Sequence, residues 1–280
     1  MKKNKEFGKK VLEWGYKRLC GSKIGKIPGV PELFLIIASK IFDDIIQVDG
    51  QRLRLPIAFG FEGFLELYRT GKIEPHVTQL FCSLIREGMT VVDVGASFGY
   101  YTLLAAKRVG NSGLVFAFEP NPQSYEVLIE NIKMNNWKNV RTFQLAISDR
   151  REDVILNIPK MGQTGSIFAK RDNIVRKIRI KALPLDSFLE LRKAAIVKID
   201  VEGAELKVLR GMRKILMEGK TKIICEIHPK QIASLGGSIN KIMNILKNYE
   251  YKTYLINKKC EIVETSILSN EHAHYLFQRG

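Results

Sequence analysis

The sequence predicts an α/β protein: a doubly wound, mostly parallel sheet with helices on both faces, preceded by a small helix and hairpin extension. Three observations carry that expectation. Short apolar, β-branched runs of strand length recur along the chain, helical periodicity fills several of the intervals between them, and a Gly-rich turn joins one such strand to one such helix. At 280 residues and 45% hydrophobic composition the chain can bury one substantial core. No internal repeat or low-complexity linker divides it, so we expect an N-terminal extension over residues 1–70 and one larger domain over 71–280.

Each element follows from its local pattern. Ile45 to Val48 and Arg52 to Pro56 read as strands around Asp49-Gly50, a pair that accepts the positive φ of a tight hairpin. Glu74-Pro75 opens a helical pattern through Val77, Leu80, Phe81, Leu84 and Ile85, which Gly88 ends. Residues 90–94, 113–118, 141–147, 195–201 and 222–227 are apolar runs suited to strands buried on both faces. Helical patterns over 100–108, 123–135 and 204–217 separate several of them, which calls for right-handed crossovers. Residues 153–158 and 174–180 break the rhythm as extra strands, and 251–256 with 274–278 suit a closing hairpin.

The formal net charge is +16, and residues 1–26 hold nine Lys/Arg against Glu6 and Glu13. Such an arm suits anionic partners, including peripheral contact with an anionic membrane, and equally serves as a solvated basic tail. Without aromatic interleaving or finger spacing, specific nucleic-acid readout is not expected. Cys20, Cys82, Cys225 and Cys260 form no CxxC pair and the four histidines show no ligand spacing beside them, which argues against a disulfide or zinc framework. A secretory pattern is not seen, so a cytoplasmic setting is expected. The apolar stretch from Val30 to Phe42 contains Pro31, Glu32 and Lys40 and is too short to span a bilayer, though it could lie on a membrane surface or pack as a core helix.

The chemistry concentrates at strand ends. Asp93-Val94-Gly95-Ala96-Ser97-Phe98-Gly99, followed by a helix beginning near Tyr100, is expected to present backbone N–H groups at the carboxyl edge of the sheet. Gly95 and Gly99 permit close approach of a ligand. The spacing is GxxxG rather than the GxGxxG of a pyrophosphate-binding turn, and Asp93 would repel an anion. S-adenosylmethionine, which carries an ammonium and a sulfonium but no phosphate, fits that turn better than NAD. The next strand ends in Glu119-Pro120-Asn121, where an acid 26 residues after Asp93 can accept hydrogen bonds from ribose hydroxyls. Read as purely structural, Asp93 would be a turn residue and Glu119 a helix-start charge. Ala146, Ile147 and Ser148, with Asp149, would then flank the adenine.

With these residues in view, the chain resembles the FkbM family of class I methyltransferases. The likeness rests on Val91-Val92-Asp93-Val94-Gly95-Ala96 and Gly99-Tyr100-Tyr101-Thr102, then Glu119-Pro120-Asn121, Ala146-Ile147-Ser148-Asp149 and Leu185-Asp186. Its most specific block is Lys198-Ile199-Asp200-Val201-Glu202-Gly203-Ala204-Glu205. The resemblance spans residues 70–230 and implies a Rossmann-like, seven-stranded sheet, S-adenosylmethionine as donor, and O-methylation of a hydroxyl on a sugar, glycan or secondary metabolite. Ser97-Phe98 stands where the family often has Asn-Ile.

Methyl transfer to a hydroxyl needs an aligned acceptor and a group to take its proton. Strand alternation would set Lys198, Asp200 and Glu202 on one side, and the neighbouring strand ends in Glu226-Ile227-His228. Asp200 and His228 are therefore the leading acid/base candidates, with Glu202 and Glu226 orienting them or the acceptor. An alternative use of Asp200, Glu202 and Glu226 is as oxygen ligands of a divalent metal, although no metal is the leading expectation. The polar segment with Gly162, Thr164, Gly165 and Ser166 suits either an acceptor lid or an ordinary surface hairpin. A nucleotide-dependent oxidoreductase and an RNA- or membrane-associated binding module are the rival readings. The absence of GxGxxG opposes the first, and Asp200-Val201-Glu202-Gly203 in place of a base-flipping Asn-Pro-Pro-Tyr block opposes RNA modification.

Overall fold

The computed structural model describes residues 44–56, 66, 67, 70–159 and 174–280, with Ile37. The basic arm, the rest of the apolar stretch around Ile37, and the segment holding Gly162, Thr164, Gly165 and Ser166 lie outside the described residues. A hairpin comes first, β1 (Ile45–Val48) and β2 (Gln51–Arg54). Asp49 and Gly50 both take positive φ, 52° and 75°, as a two-residue turn of this hand demands. Helix α1 (Pro75–Leu84) precedes an alternation of β3 (Thr90–Val94), α2 (Tyr100–Val109), β4 (Leu114–Phe118), α3 (Pro122–Met134) and β5 (Val140–Phe143). The chain then leaves the main sheet through β6 (Ala146–Ile147), β7 (Glu152–Pro159) and β8 (Ile174–Leu183). It returns with β9 (Ile196–Ile199), α4 (Glu205–Arg210), α5 (Arg213–Glu218), β10 (Lys222–Ile227), α6 (Pro229–Ser234) and α7 (Ile239–Asn248). Strands β11 (Lys252–Ile256), β12 (Ile262–Thr265) and β13 (Ala273–Gln278) close it.

The main sheet runs β12-β11-β13-β10-β9-β3-β4-β5. Strands β10, β9, β3, β4 and β5 are parallel neighbours, and β13 enters antiparallel between β10 and β11. The seven strands expected are thus present. An eighth, β12, pairs with β11 alone and presents exposed Ile262 and Val263 at the edge. From β3 the chain winds outward through β4 and β5, then crosses back to β9 on the other side of β3. The point of reversal between β3 and β9 is where open α/β sheets take their ligands.

Alternating residues of the buried strands feed two cores, one on each face. Val91, Val115, Ala117, Ile196 and Ile224 pack with the hairpin, α1, α2 and α3. Val92, Phe116, Val197, Ile223 and Cys225 pack with α4, α5, α6 and α7. The hairpin is joined to the first core by its own alternation, Ile46 and Val48 with Leu53 and Leu55, and by hydrogen bonds to α3. Asn131 Oδ1 accepts from the Arg54 N–H at 2.6 Å, and Asn135 Oδ1 accepts from the Arg52 N–H at 2.9 Å.

Two expected elements divide. The run 141–147 splits because β5 ends at Phe143, while Ala146 and Ile147 pair in parallel with Ala182 and Leu183 of β8. With β7 these strands form a separate three-stranded sheet, order β6-β8-β7. The helix expected over 204–217 breaks into α4 and α5 at Gly211. A Cβ on Gly211 would lie 2.0 Å from the Ser148 carbonyl oxygen, so the small sheet presses directly on the break. Helices α6 and α7, with Ile232, Ile242 and Leu246 buried, were not drawn from the sequence, where Leu235-Gly236-Gly237 interrupts the pattern.

Candidate active site

The Gly-rich turn is where expected, but its amides are not free. Gly95 N–H and Ala96 N–H both donate to the Phe118 carbonyl at 2.9 and 3.0 Å, and Gly99 N–H donates to Ala96 O at 2.8 Å. Ser97 N–H donates to Glu119 Oε2 at 2.7 Å. The expectation of open amides is therefore corrected: these four donors are already committed, three of them to Phe118 and Glu119, which removes much of the turn's capacity to hold a phosphate. Gly95 has φ 85°, and a Cβ there would lie 1.8 Å from the Asp200 carbonyl oxygen. Gly99, φ 94°, faces Leu128, whose Cδ1 would lie 2.6 Å from an added Cβ. Ser97 takes φ 50°, and its buried hydroxyl has no hydrogen-bond partner.

Asp93 points from β3 toward α2, where its carboxylate accepts from the Thr102 hydroxyl at 2.7 Å. Burial raises its pKa, against the Lys198 charge and the Thr102 hydroxyl and amide. Glu119 is buried and holds the turn to α3: Oε2 takes the Ser97 amide and Oε1 the Asn121 amide at 2.8 Å. Burial pushes its pKa up to about 7 despite those two bonds. Asn121 then caps α3 by accepting from the Gln123 N–H at 3.1 Å, with Pro120 half-buried before it. Tyr100 turns its hydroxyl away to Ile73 N–H, 3.0 Å, and Thr78, so it fixes the start of α2 against the approach to α1. Ile147 joins the second core, and Ser148 gives its hydroxyl to Glu152 at 2.7 Å.

Across the switch point lies a dense ionisable cluster. The register sets Lys198 of β9 opposite Asp93 of β3. Its side chain is only 2% exposed, and its ammonium lies 3.1 Å from Asp200 Oδ2 and 4.2 Å from the centre of the Tyr101 ring, a cation–π geometry. Its pKa is raised: burial opposes the charge, but Asp200, Asp93, Glu74 and Glu226 outweigh it. Burial likewise opposes ionisation of Asp200, yet Lys198, Glu226 and His228 bring its pKa to about 2. The strand ends at Ile199, so the alternation that would add Glu202 to this side stops there; Glu202 sits half-buried in a turn at φ 46°.

All four histidines of the chain meet at this end of the sheet. His228 and His272 stack at 4.7 Å between ring centres, His272 lies 5.6 Å from His274, and His274 lies 5.5 Å from His76. The antiparallel entry of β13 is the cause, because it sets His274 opposite Glu226 of β10. Glu226 Oε1 is hydrogen-bonded to His272 Nε2, with His274 Nε2 at 3.5 Å and His228 Nε2 at 3.7 Å. His228 Nδ1 lies 2.7 Å from Oε1 of fully buried Glu205, which also takes the Gly203 N–H at 2.8 Å. Burial opposes charge on His228, but Glu205, Glu226 and Asp200 push its pKa up to about 9. Glu226 is raised by burial and by the Asp200 charge. Glu74 joins through His274 Nε2 at 3.0 Å and the Tyr101 hydroxyl at 2.9 Å.

The structure therefore unites Asp200, Glu226 and His228, and adds Glu74, Tyr101, Lys198, Glu205, His272 and His274. The four histidines, which show no ligand spacing beside the cysteines in the sequence, are brought together by the fold; His272-Ala273-His274 at the head of β13 is the one sequence signal of that convergence. Cys82, Cys225 and Cys260 are free thiols.

A parallel sheet with its switch point at an acidic turn, closed to phosphate and backed by an acid-tipped second strand, defines the class I methyltransferase arrangement. Residues 93–253 match the methyltransferase FkbM domain, more than half of the chain, and the protein belongs to that family and uses S-adenosylmethionine as methyl donor. Over 224 residues it is 26% identical to the hexuronic acid methyltransferase AglP of Haloferax volcanii, covering 77% of this chain and 88% of that one. It is 30% identical over 164 residues to the tRNA (guanine(37)-N(1))-methyltransferase Trm5b of Pyrococcus abyssi, covering 56% of this chain but 46% of that enzyme. Alignment with the crystal structure of a methyltransferase FkbM from Methylobacillus flagellatus KT gives a TM-score of 0.47 at 16% identity, over 77% of this chain and 52% of that chain.

The residues present fit the donor. The orphaned Ser97 hydroxyl, the buried Glu119 carboxylate and the acidic neighbours Asp93 and Asp200 suit a ligand that is cationic and hydroxylated. Glu119, whose two oxygens keep further acceptor capacity, would hold the ribose, and the Gly95–Gly99 turn the remainder. S-adenosylmethionine supplies, when bound, a methyl group already activated as a sulfonium for in-line displacement.

Proposed function

We propose that the acceptor is an acidic sugar, methylated on a hydroxyl oxygen. The observation that carries this reading is a cavity of about 500 Å³ lined by Glu226, Glu271, His228 and His272 together with Lys230, Gln231 and Asn270. That volume is in the range of small-molecule pockets, and a lining of amides and charges suits a hydroxylated ligand. His228, pushed to about 9, is protonated at neutral pH, and with Lys230 it favours a carboxylate on the sugar. The likeness to an enzyme named for hexuronic acid supports the same chemistry.

Asp200 stays ionised at any working pH, with its pKa at about 2. It aligns the acceptor hydroxyl and receives its proton as the oxygen attacks, while Lys198 keeps the carboxylate in place. A carboxylate of such low basicity is a weak base, so most of the acceleration comes from alignment. Glu205 and Glu226 orient His228.

The reading is tested by S-adenosylhomocysteine release with a panel of hexuronides and the corresponding neutral hexosides. Preference for a hexuronide, with Asp200→Asn lowering kcat about 100-fold, supports it. Turnover of neutral sugars alone overturns the acidic acceptor, and near wild-type turnover by Asp200→Asn overturns the proton-accepting role.

A further inference from the structure

Three imidazole nitrogens converge on one carboxylate oxygen. Nε2 of His228, His272 and His274 all face Glu226 Oε1, at 3.7 Å, in direct hydrogen bond, and at 3.5 Å respectively. Donors so arranged repel one another's protons and gain most when a cation takes the centre. Among the described residues two triads bring their ligand atoms within 4.8 Å of one another, Glu226–His228–His272 and Glu74–Glu226–His274.

We propose that Glu226, His228 and His272 bind a divalent transition metal of the zinc class, whose remaining coordination positions open into the acceptor cavity. This site is distinct from the carboxylate set read from the sequence, because Asp200 and Glu202 give way to the imidazoles of His228 and His272.

Four features favour this triad over its neighbour. It lines the 500 Å³ cavity, so an ion has a path in and room for a further ligand. His228 and His272 lie with their rings inclined by 30°, both Nε2 atoms directed to the same oxygen. Glu205 engages Nδ1 of His228 at 2.7 Å from a fully buried position; this is the carboxylate–histidine–metal relay that fixes the ring and the nitrogen offered to an ion. Glu74 is tied to both His274 Nε2, at 3.0 Å, and the Tyr101 hydroxyl, and neither Glu74 nor His274 lines the cavity. They form a wall behind Glu226.

The ligand set selects the ion. Two imidazoles and one carboxylate suit Zn²⁺, Co²⁺, Ni²⁺ or Fe²⁺, whereas Mg²⁺ and Ca²⁺ prefer an all-oxygen shell. Three protein ligands leave a position for an exogenous oxygen, the arrangement of an open rather than a structural site. Coordination takes the place of the protons that the carboxylates otherwise hold on these rings. The inference rests on the cavity being the acceptor site, and it places the positive charge that attracts an acidic sugar on the ion itself.

The test uses tag-free, metal-stripped full-length protein titrated with Co²⁺ and followed by its visible d–d absorption. Expected is one equivalent bound per chain, displaced by Zn²⁺ and not by a thousandfold excess of Mg²⁺. His272→Ala, at a half-exposed residue, weakens Co²⁺ binding at least 10-fold, as does Glu226→Gln. Lys252→Ala, at the start of β11 and outside the cavity, binds like wild type. No saturable Co²⁺ binding, or binding undiminished in both triad variants, overturns the proposal. Hexuronide methylation by a protein that binds no Co²⁺ would overturn the metal site and leave the acceptor reading standing. A Co²⁺-binding protein that methylates no hexuronide would do the reverse.

Discussion

The carbonyl oxygen of Asp200 sits against the α-carbon of Gly95, so close that a β-carbon would lie 1.8 Å from it. One contact thus joins the donor-binding turn after β3 to the acid-bearing end of β9, and Asp200 N–H donating to Val94 O at 2.9 Å closes the same junction. Both the positive φ and the missing side chain are required at position 95. Gly95→Ala would strain the backbone by about 1–3 kcal/mol and push β9 away from the turn. The variant should lose S-adenosylmethionine binding in calorimetry and melt at least 5 °C lower, about 1–2 kcal/mol for a domain of this size. Wild-type affinity in a folded Gly95→Ala protein would show that the two strand ends can separate without cost.

How much of this was legible beforehand depended on the range of the cause. Thr90–Val94 and Lys222–Ile227 match their strands end to end, because burial on both faces makes the run uniformly apolar, and the Asp49-Gly50 hairpin follows from local turn chemistry. The Gly-rich turn and Glu119 were legible in type and place, but the commitment of the turn's amides to Phe118 and Glu119 was not, since it depends on partners more than 20 residues away. Gly211 breaks α4 from α5 through a contact with Ser148, which nothing in the 204–217 pattern encodes. The histidine cluster needed strand order: His272 and His274 reach Glu226 only because β13 inserts antiparallel beside β10.

Lys198 is the charge on which the centre of the site depends. Buried between Asp93, Asp200 and Tyr101, it compensates two carboxylates, and removing one member of such a group strands the rest. Lys198→Met should cost about 3–5 kcal/mol at pH 7 in urea unfolding. The pH dependence follows from Asp200, whose pKa is depressed to about 2 in the fold. Its contribution is present above the ordinary carboxylate value and is lost as pH falls toward 2. Without Lys198 that pKa rises, so the gap between the two proteins should narrow as pH is lowered from 5 to 2. An unchanged gap would place the stabilisation elsewhere.

Thr102 supports Asp93 from the first turn of α2, with its hydroxyl 2.7 Å from the carboxylate. Thr102→Val keeps the shape and removes the donor, leaving the backbone N–H as the remaining support from that residue. A buried acceptor deprived of a partner costs about 1–3 kcal/mol. Because burial already raises the pKa of Asp93, the variant raises it further. The loss of stability should therefore grow as pH rises through the Asp93 titration and be smallest below it, which denaturant midpoints between pH 3 and pH 8 would reveal. A loss that is equal at all pH values would assign the effect to packing.

Glu119 gives donor binding its own pH signature. Its carboxyl is pushed up to about 7 by burial, with the Ser97 and Asn121 amides working the other way. In the free protein the protonated form is favoured, so the contribution of this group to stability is full below the ordinary value near 4.5 and is lost as pH rises through about 7. Ribose hydroxyls donate to the ionised form, so S-adenosylmethionine has to be met by a carboxylate that the unliganded fold only half ionises near neutrality. Affinity should climb between pH 6 and pH 8 and level off above, with a proton released on binding near pH 6.5. Glu119→Gln removes the titrating group and the charge assistance while keeping an acceptor oxygen, a net loss of about 1.5–3 kcal/mol, so it should bind about 10- to 100-fold more weakly with no such climb. Calorimetry in buffers of different ionisation enthalpy measures both quantities. An affinity that is flat with pH in the wild type, or equal in Glu119→Gln, would mean that the carboxylate braces the turn without touching the donor.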